Sequence, residues 1–161
     1  MVFSKLLVSI DGTNLSSRFL PNELTVYDLK SGKLRHYFFN PPKGIRLTQE
    51  EKRTERYTRQ HLGGRGMIPY DVPALEFYHA AQVISSLKGC RLYVMGNVSK
   101  TYISEMLPHT PVVDVQSLAA LRYPATLPST LCGEAHRNFR NCSMAKLIFV
   151  RDFLKNNPNL L

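Results

Sequence analysis

Cys132, His136 and Cys142 lie within eleven residues, Cys132-Gly133-Glu134-Ala135-His136-Arg137-Asn138-Phe139-Arg140-Asn141-Cys142, just ahead of the last apolar segment. Two thiols and an imidazole this close read as three ligands of a zinc ion, which favours thiolate and imidazole donors in a tetrahedron. A closed structural site needs a fourth protein ligand. The third cysteine, Cys90, ends a helical pattern and opens a strand, which predicts it buried and elsewhere. The fourth ligand is then a His, Asp or Glu from a distant part of the chain, so the cluster ties two remote segments together. The spacing is not that of a zinc finger, and two packed thiols beside a solvent-facing histidine would give the same letters.

The chain has 161 residues, enough for one domain with its own core. Its 43% hydrophobic and 20% charged residues are ordinary for a globular domain. No apolar run nears the ~20 residues that cross a bilayer, so no membrane partner is expected. The N-terminal stretch Phe3-Ser4-Lys5-Leu6-Leu7-Val8-Ser9-Ile10-Asp11 lacks a cleavage pattern and reads as a strand. Three cysteines, an odd number, with no export signal point to a reducing compartment, cytoplasmic or nuclear. The net charge of +9 predicts an acidic partner, most commonly nucleic acid, although a merely soluble basic protein carries the same surplus.

Lys5 to Ile10 predicts a strand, broken by Gly12, Asn14, Ser16 and Ser17. Glu23 to Asp28 and Lys33 to Phe39 alternate with period two around the turn Lys30-Ser31-Gly32. With the first strand, that hairpin makes three consecutive antiparallel strands. Thr48 and Glu51 form a capping box for Gln49 to His61, which sets Lys52, Arg53, Arg56 and Arg59 against Glu50, Glu51 and Glu55. This segment is polar nearly all round and reads as a solvated helix or a mobile loop. Asp71 reads as the cap of a helix along Leu75, Tyr78, Ala81, Ile84 and Leu87, stopped by Gly89. Arg91 to Met95 predicts a buried strand, Lys100 to Leu107 a helix, and Val112 to Val115 a strand. Val115 to Leu121 begins a helix or turn, and Ser143 to Lys155 is a helix apolar on most sides. Residues 1–155 therefore form one domain, with 156–161 as a frayed tail.

That order predicts an α/β domain of the ribonuclease H-like class. Its mixed five-stranded sheet, three antiparallel strands then βαβ units, is flanked by helices. Nucleases on this plan clamp two metal ions with carboxylates. Asp11 could supply the first acid, but Thr13, the turn Gly96-Asn97-Val98-Ser99-Lys100 and Asn141 stand where the others belong. One acid cannot hold two divalent ions, so two-metal exonuclease chemistry is not expected.

Several short motifs carry a family likeness. They are Pro21-Asn22-Glu23-Leu24-Thr25-Val26-Tyr27, His36-Tyr37-Phe38-Phe39-Asn40-Pro41 and Met67-Ile68-Pro69, with Cys132, His136 and Cys142 followed by Ser143-Met144-Ala145. Over about residues 20 to 154 the chain resembles the Maelstrom domain, the ribonuclease H-like module of Maelstrom proteins in the germline small-RNA (piRNA) pathway. The resemblance implies a Glu-Cys-His-Cys zinc site in place of the acidic nuclease site, here Glu23, Cys132, His136 and Cys142. One departure is that three residues, not two, separate Cys132 from His136. On the residues alone, His36, His79, His109 and Glu134 compete with Glu23 for the fourth position.

The resemblance also implies a zinc-stabilised module of transposon silencing that binds single-stranded RNA, alongside small-RNA pathway proteins and in places such as perinuclear granules. Some members cleave RNA without metal. Lys43, Arg46, Lys52, Arg53, Arg56, Arg59 and Arg65 supply charge for phosphates, with Tyr57 and Tyr70 for stacking. Arg137 and Arg140 lie between the zinc ligands and add to the set. His61, Arg65 or another histidine could serve acid–base chemistry in a metal-independent single-stranded RNA endonuclease, but nothing in the sequence selects a catalytic residue. The rival reading is a protein-interaction adaptor built on a degenerate nuclease fold, its charge incidental.

Overall fold

The computed structural model describes residues 3–61, 65–124, 127 and 142–161. Strands β1 (Lys5–Asn14), β2 (Phe19–Asp28) and β3 (Leu34–Phe38) pair antiparallel in succession. Strand β4 (Arg91–Val94) then pairs parallel to β1, and β5 (Val112–Asp114) parallel to β4. The result is one five-stranded mixed sheet in the order β3-β2-β1-β4-β5.

Strand alternation explains why β1 and β2 read as nearly continuous apolar runs. Leu6, Val8, Ile10, Leu24 and Val26 point to one face, against Ala80 and Ile84 of α2 (His79–Ser85) and Ile103 of α3 (Asn97–Met106). Leu7, Tyr27 and Tyr93 point to the other, against Leu147, Val150 and Leu154 of α5 (Ser143–Asn156). Both faces of the sheet are thus covered, and a strand buried on both sides needs no polar alternation. Among the described residues the remaining α-helices are α1 (Gln49–His61) and the short α4 (Val115–Ala119), which Asp114 caps by accepting the Gln116 N–H at 3.0 Å.

Several elements differ from the sequence expectation; β2 begins at Phe19 rather than Glu23 and α3 at Asn97 rather than Lys100, and three further differences lie in β1, α2 and the tail. First, β1 does not stop at Ile10 but runs four residues further, with a bulge between Asp11 and Gly12. Gly12 is a close-approach glycine rather than a turn: a Cβ there would collide with the Leu20 carbonyl oxygen. Second, α2 starts at His79, not near Asp71, because Leu75 is used as a strand-like bridge to Phe39. Its N–H donates to the Phe38 carbonyl at 2.8 Å and its carbonyl accepts the Asn40 N–H at 2.9 Å. The buried stripe is accordingly Ala80, Ile84 and Leu87, while Leu75, Tyr78 and Ala81 are exposed. Third, the tail is not frayed. It forms a 3-10 turn over Pro158–Leu160, and the Leu161 carbonyl accepts Lys5 Nζ at 2.9 Å.

The polar segment 49–61 is a helix, and the capping box forms as its spacing predicts. The Glu51 carboxylate accepts the Thr48 N–H at 2.9 Å, and Thr48 Oγ1 accepts the Glu51 N–H at 3.1 Å. Among the described residues no helix is long and apolar enough to cross a membrane.

Candidate functional site

Glu23 is fully buried on β2, opposite Asp11 of β1 and Phe38 of β3. A carboxylate in such a place must be satisfied by strong partners. Its Oε1 accepts the Ser143 N–H at 2.8 Å, at the first turn of α5. Its Oε2 lies 2.5 Å from His36 Nε2 and 3.9 Å from Cys142 Sγ. Beside them, the Thr25 and Ser143 hydroxyls are 2.6 Å apart and buried. Glu23, Thr25, His36 and Phe38 share the sheet face that α5 covers, because β2 and β3 pair Thr25 with His36 and Glu23 with Phe38.

Two of the four expected zinc ligands, Glu23 and Cys142, therefore meet. Cys132 and His136 lie outside the described residues, as does the competing candidate Glu134. Bonds of about 2.3 Å to sulfur and 2.0 Å to oxygen at a tetrahedral angle set two ligand atoms about 3.5 Å apart. The observed 3.9 Å is close to that, and thiolate plus carboxylate is a donor set suited to zinc. Among the described residues no group of three His, Cys, Asp or Glu side chains is placed to hold a metal. Closure of the site would fall to Cys132 and His136. Of the remaining candidates, the His79 ring packs tilted against Tyr78 with centroids 4.2 Å apart, and His109 is exposed before β5. Cys90, expected to be buried, is half-buried at the turn before β4.

The acid at the β1 bulge, Asp11, has a different partner. Lys146 Nζ of α5 lies 2.5 Å from Asp11 Oδ1, and both side chains are mostly buried. The pair lines a cavity of about 180 Å³ with Ser99, Phe19, Met95 and Tyr123. Burial lifts the Asp11 carboxyl to about 6 against the opposing pull of Lys146, and nearby Glu23 adds to the rise. Burial also raises the Tyr123 hydroxyl. Thr13, where a second acid would stand, is buried and uncharged. A built-in ammonium thus neutralises the acid at this bulge. Sequence reasoning missed Lys146, though a signal existed: a lone cation inside Met144-Ala145-Lys146-Leu147-Ile148 must find a carboxylate if that helix is buried.

Helix α1 sorts its charges. Glu51 faces the protein and takes Arg18 Nε at 2.9 Å and the Ser17 hydroxyl at 2.9 Å, which, with the Thr48 N–H as the largest cause, hold its carboxyl down to about 2. Glu55 also turns inward, to Arg59 Nε at 2.6 Å and the Met67 N–H at 3.1 Å. Lys52, Arg53, Arg56, Gln60 and His61 face solvent with Tyr57, which is 57% exposed and has its ring centred 4.8 Å from that of His61. Glu50 is the one acid of α1 left exposed. Net cationic character on the outer face is therefore much stronger than the sequence of the helix shows.

The other expected RNA contacts divide. Lys43 and Arg46 are exposed, Lys43 with Glu76 at 3.6 Å. Arg59 is committed to Glu55. Arg65 is a structural strut: its guanidinium donates to the carbonyls of Ile68 and Pro69 and lies 3.9 Å over the Tyr70 ring. Arg137 and Arg140 lie outside the described residues. No family model, curated protein or solved structure matches the chain.

Proposed function

We propose that the chain is a zinc-stabilised module that binds single-stranded RNA on a ribonuclease H-like sheet, similar to the Maelstrom domain and acting in small-RNA silencing without two-metal nuclease chemistry. The observation that carries this reading is the charge sorting on α1. Phosphate binding needs a stripe of Lys and Arg free of competing carboxylates, and single strands add stacking of bases on exposed aromatic rings. Lys52, Arg53 and Arg56 beside Tyr57 come near both needs, since Glu51 and Glu55 are turned away and Glu50 alone among the acids of α1 shares the exposed face.

The sheet order β3-β2-β1-β4-β5, antiparallel on one side of β1 and parallel on the other, supports the ribonuclease H-like assignment. The meeting of Glu23 with Cys142 supports a zinc centre. The Asp11–Lys146 pair supports loss of two-metal catalysis, because the acid already has a cation. A cytoplasmic or nuclear location and small-RNA pathway partners go with the same reading.

The test is RNA affinity across a salt series. Wild-type protein should bind a labelled single strand with log K falling against log salt by about 0.7 per phosphate contact. Charge reversal at Lys52, Arg53 and Arg56 together should abolish binding and leave the circular dichroism spectrum unchanged. Equal binding by the folded triple variant would overturn the reading.

A further inference from the structure

We infer that His36 is the positioning residue of the metal centre: it donates to Glu23 Oε2 and fixes the carboxylate in the orientation that a zinc ion requires, without being a ligand. The inference rests on the zinc reading above. His36 competed with Glu23 as a fourth ligand in the sequence, and geometry separates their roles. Two ligands of one zinc, nitrogen at about 2.1 Å and oxygen at about 2.0 Å, stand about 3.3 Å apart. His36 Nε2 and Glu23 Oε2 are 2.5 Å apart, a direct hydrogen bond with no space for an ion between them.

The carboxylate is pinned from two sides. Ser143 N–H holds Oε1 at 2.8 Å and His36 holds Oε2, so rotation about the last side-chain bond would break both contacts. Each carboxylate oxygen has two lone pairs. One on Oε2 meets His36; the thiol of Cys142, at 3.9 Å from the same oxygen, marks where a metal would be shared. His36 is itself held. It projects from β3 on the face covered by α5, and its ring packs edge-on against Phe38 with centroids 4.5 Å apart. Ligating carboxylates are commonly hydrogen-bonded in this manner, and losing such a partner weakens metal binding by about 10–100-fold without removing the site.

The experiment uses the full chain as wild type, His36→Ala, His36→Gln and Glu23→Ala. Metal content at saturating zinc is measured by mass spectrometry, affinity by competition with a chromophoric chelator, and coordination by the visible spectrum of the cobalt(II) form. His36→Ala should keep one zinc per chain and the wild-type cobalt bands but bind about 10–100-fold more weakly. His36→Gln, which retains a donor, should recover part of that loss, whereas Glu23→Ala should change the cobalt bands. Failure of His36→Ala to take up zinc at saturation would make His36 a ligand and overturn the inference. Wild-type affinity in His36→Ala would make it a bystander and overturn it equally. If His36→Ala does not fold, His36→Gln decides: retained stoichiometry supports positioning, and lost stoichiometry overturns it. Wild-type protein that takes up no zinc would remove the zinc reading itself, an outcome distinct from the others.

Discussion

The Cys142 thiol lies 3.9 Å from the Glu23 carboxylate across 119 residues of chain, where the first turn of α5 meets the middle of β2. Metal and packing contribute separately at this junction. With a chelator present, Glu23→Ala should still cost about 1–3 kcal/mol, because the buried Ser143 N–H and His36 lose their acceptor. Added zinc should raise the melting temperature of wild type most, and that of Glu23→Ala, Cys142→Ser and Cys132→Ser less, because each variant has lost one ligand. Thermal melts with zinc and with chelator measure both. A wild-type melting temperature indifferent to zinc would sink the metal centre.

Arg53 and Arg59 differ in what they can offer a ligand, although both are basic residues of α1. Arg53 is exposed, while Arg59 sits 2.6 Å from the inward-facing Glu55. Arg53→Ala should reduce the salt slope of RNA binding by about 1 and leave stability unchanged. Arg59→Ala should leave the slope unchanged and lower stability by about 1 kcal/mol, since Glu55 loses its charged partner and keeps the Met67 N–H. Titrations at several salt concentrations, paired with urea melts, separate the two effects.

Asp11 and Lys146 form a mostly buried ion pair joining β1 to α5. Lys146→Met should destabilise by about 3 kcal/mol, because it strands a carboxylate away from water. Asp11→Asn combined with Lys146→Met should recover much of that loss, as replacing both charges removes the desolvation cost. A double-mutant cycle in urea checks this; additive single effects would show that the pair is not coupled.

Acid stability should depend on Glu51. Its carboxyl is held down to about 2, chiefly by the Thr48 N–H and the Arg18 guanidinium, below the ordinary carboxylate range. A folded-state value below the unfolded one stabilises the fold above about pH 4.3, and that contribution is lost as the pH falls towards 2. Glu51→Gln should flatten the acid limb of the stability profile and fray the start of α1. An unchanged profile would assign the acid sensitivity to other carboxylates.

The capping box at Thr48 and Glu51, the hairpin of β2 and β3, and the span of α5 were all legible along the chain. The cap and the helix depend on residues within four or so positions of one another, and the hairpin on its short turn and the period-two alternation of each strand, so local geometry brings the partners together. The start of α2 was not legible, because Leu75 spends its backbone groups on Phe38 and Asn40, far away in sequence. Nor was the continuation of β1 past Gly12, which depends on how closely β2 approaches. The site divided along the same line. Cys142 was conspicuous from its neighbours, and Glu23 entered by resemblance, but the roles of His36 and Lys146 depend on partners brought together only when α5 packs across the sheet.

By itself the sequence determined the alternation that builds the strands, the cap that starts α1 and the apolar helix that must be buried, since these follow from local periodicity and steric preference. Tertiary structure alone decided which charges of α1 reach solvent, that Asp11 is neutralised by a lysine 135 residues away, and that Glu23 is gripped by His36 and Ser143 beside Cys142. The physical reason is that burial sets the cost of every unpaired charge, and burial is a property of the packed sheet and helices rather than of any one segment.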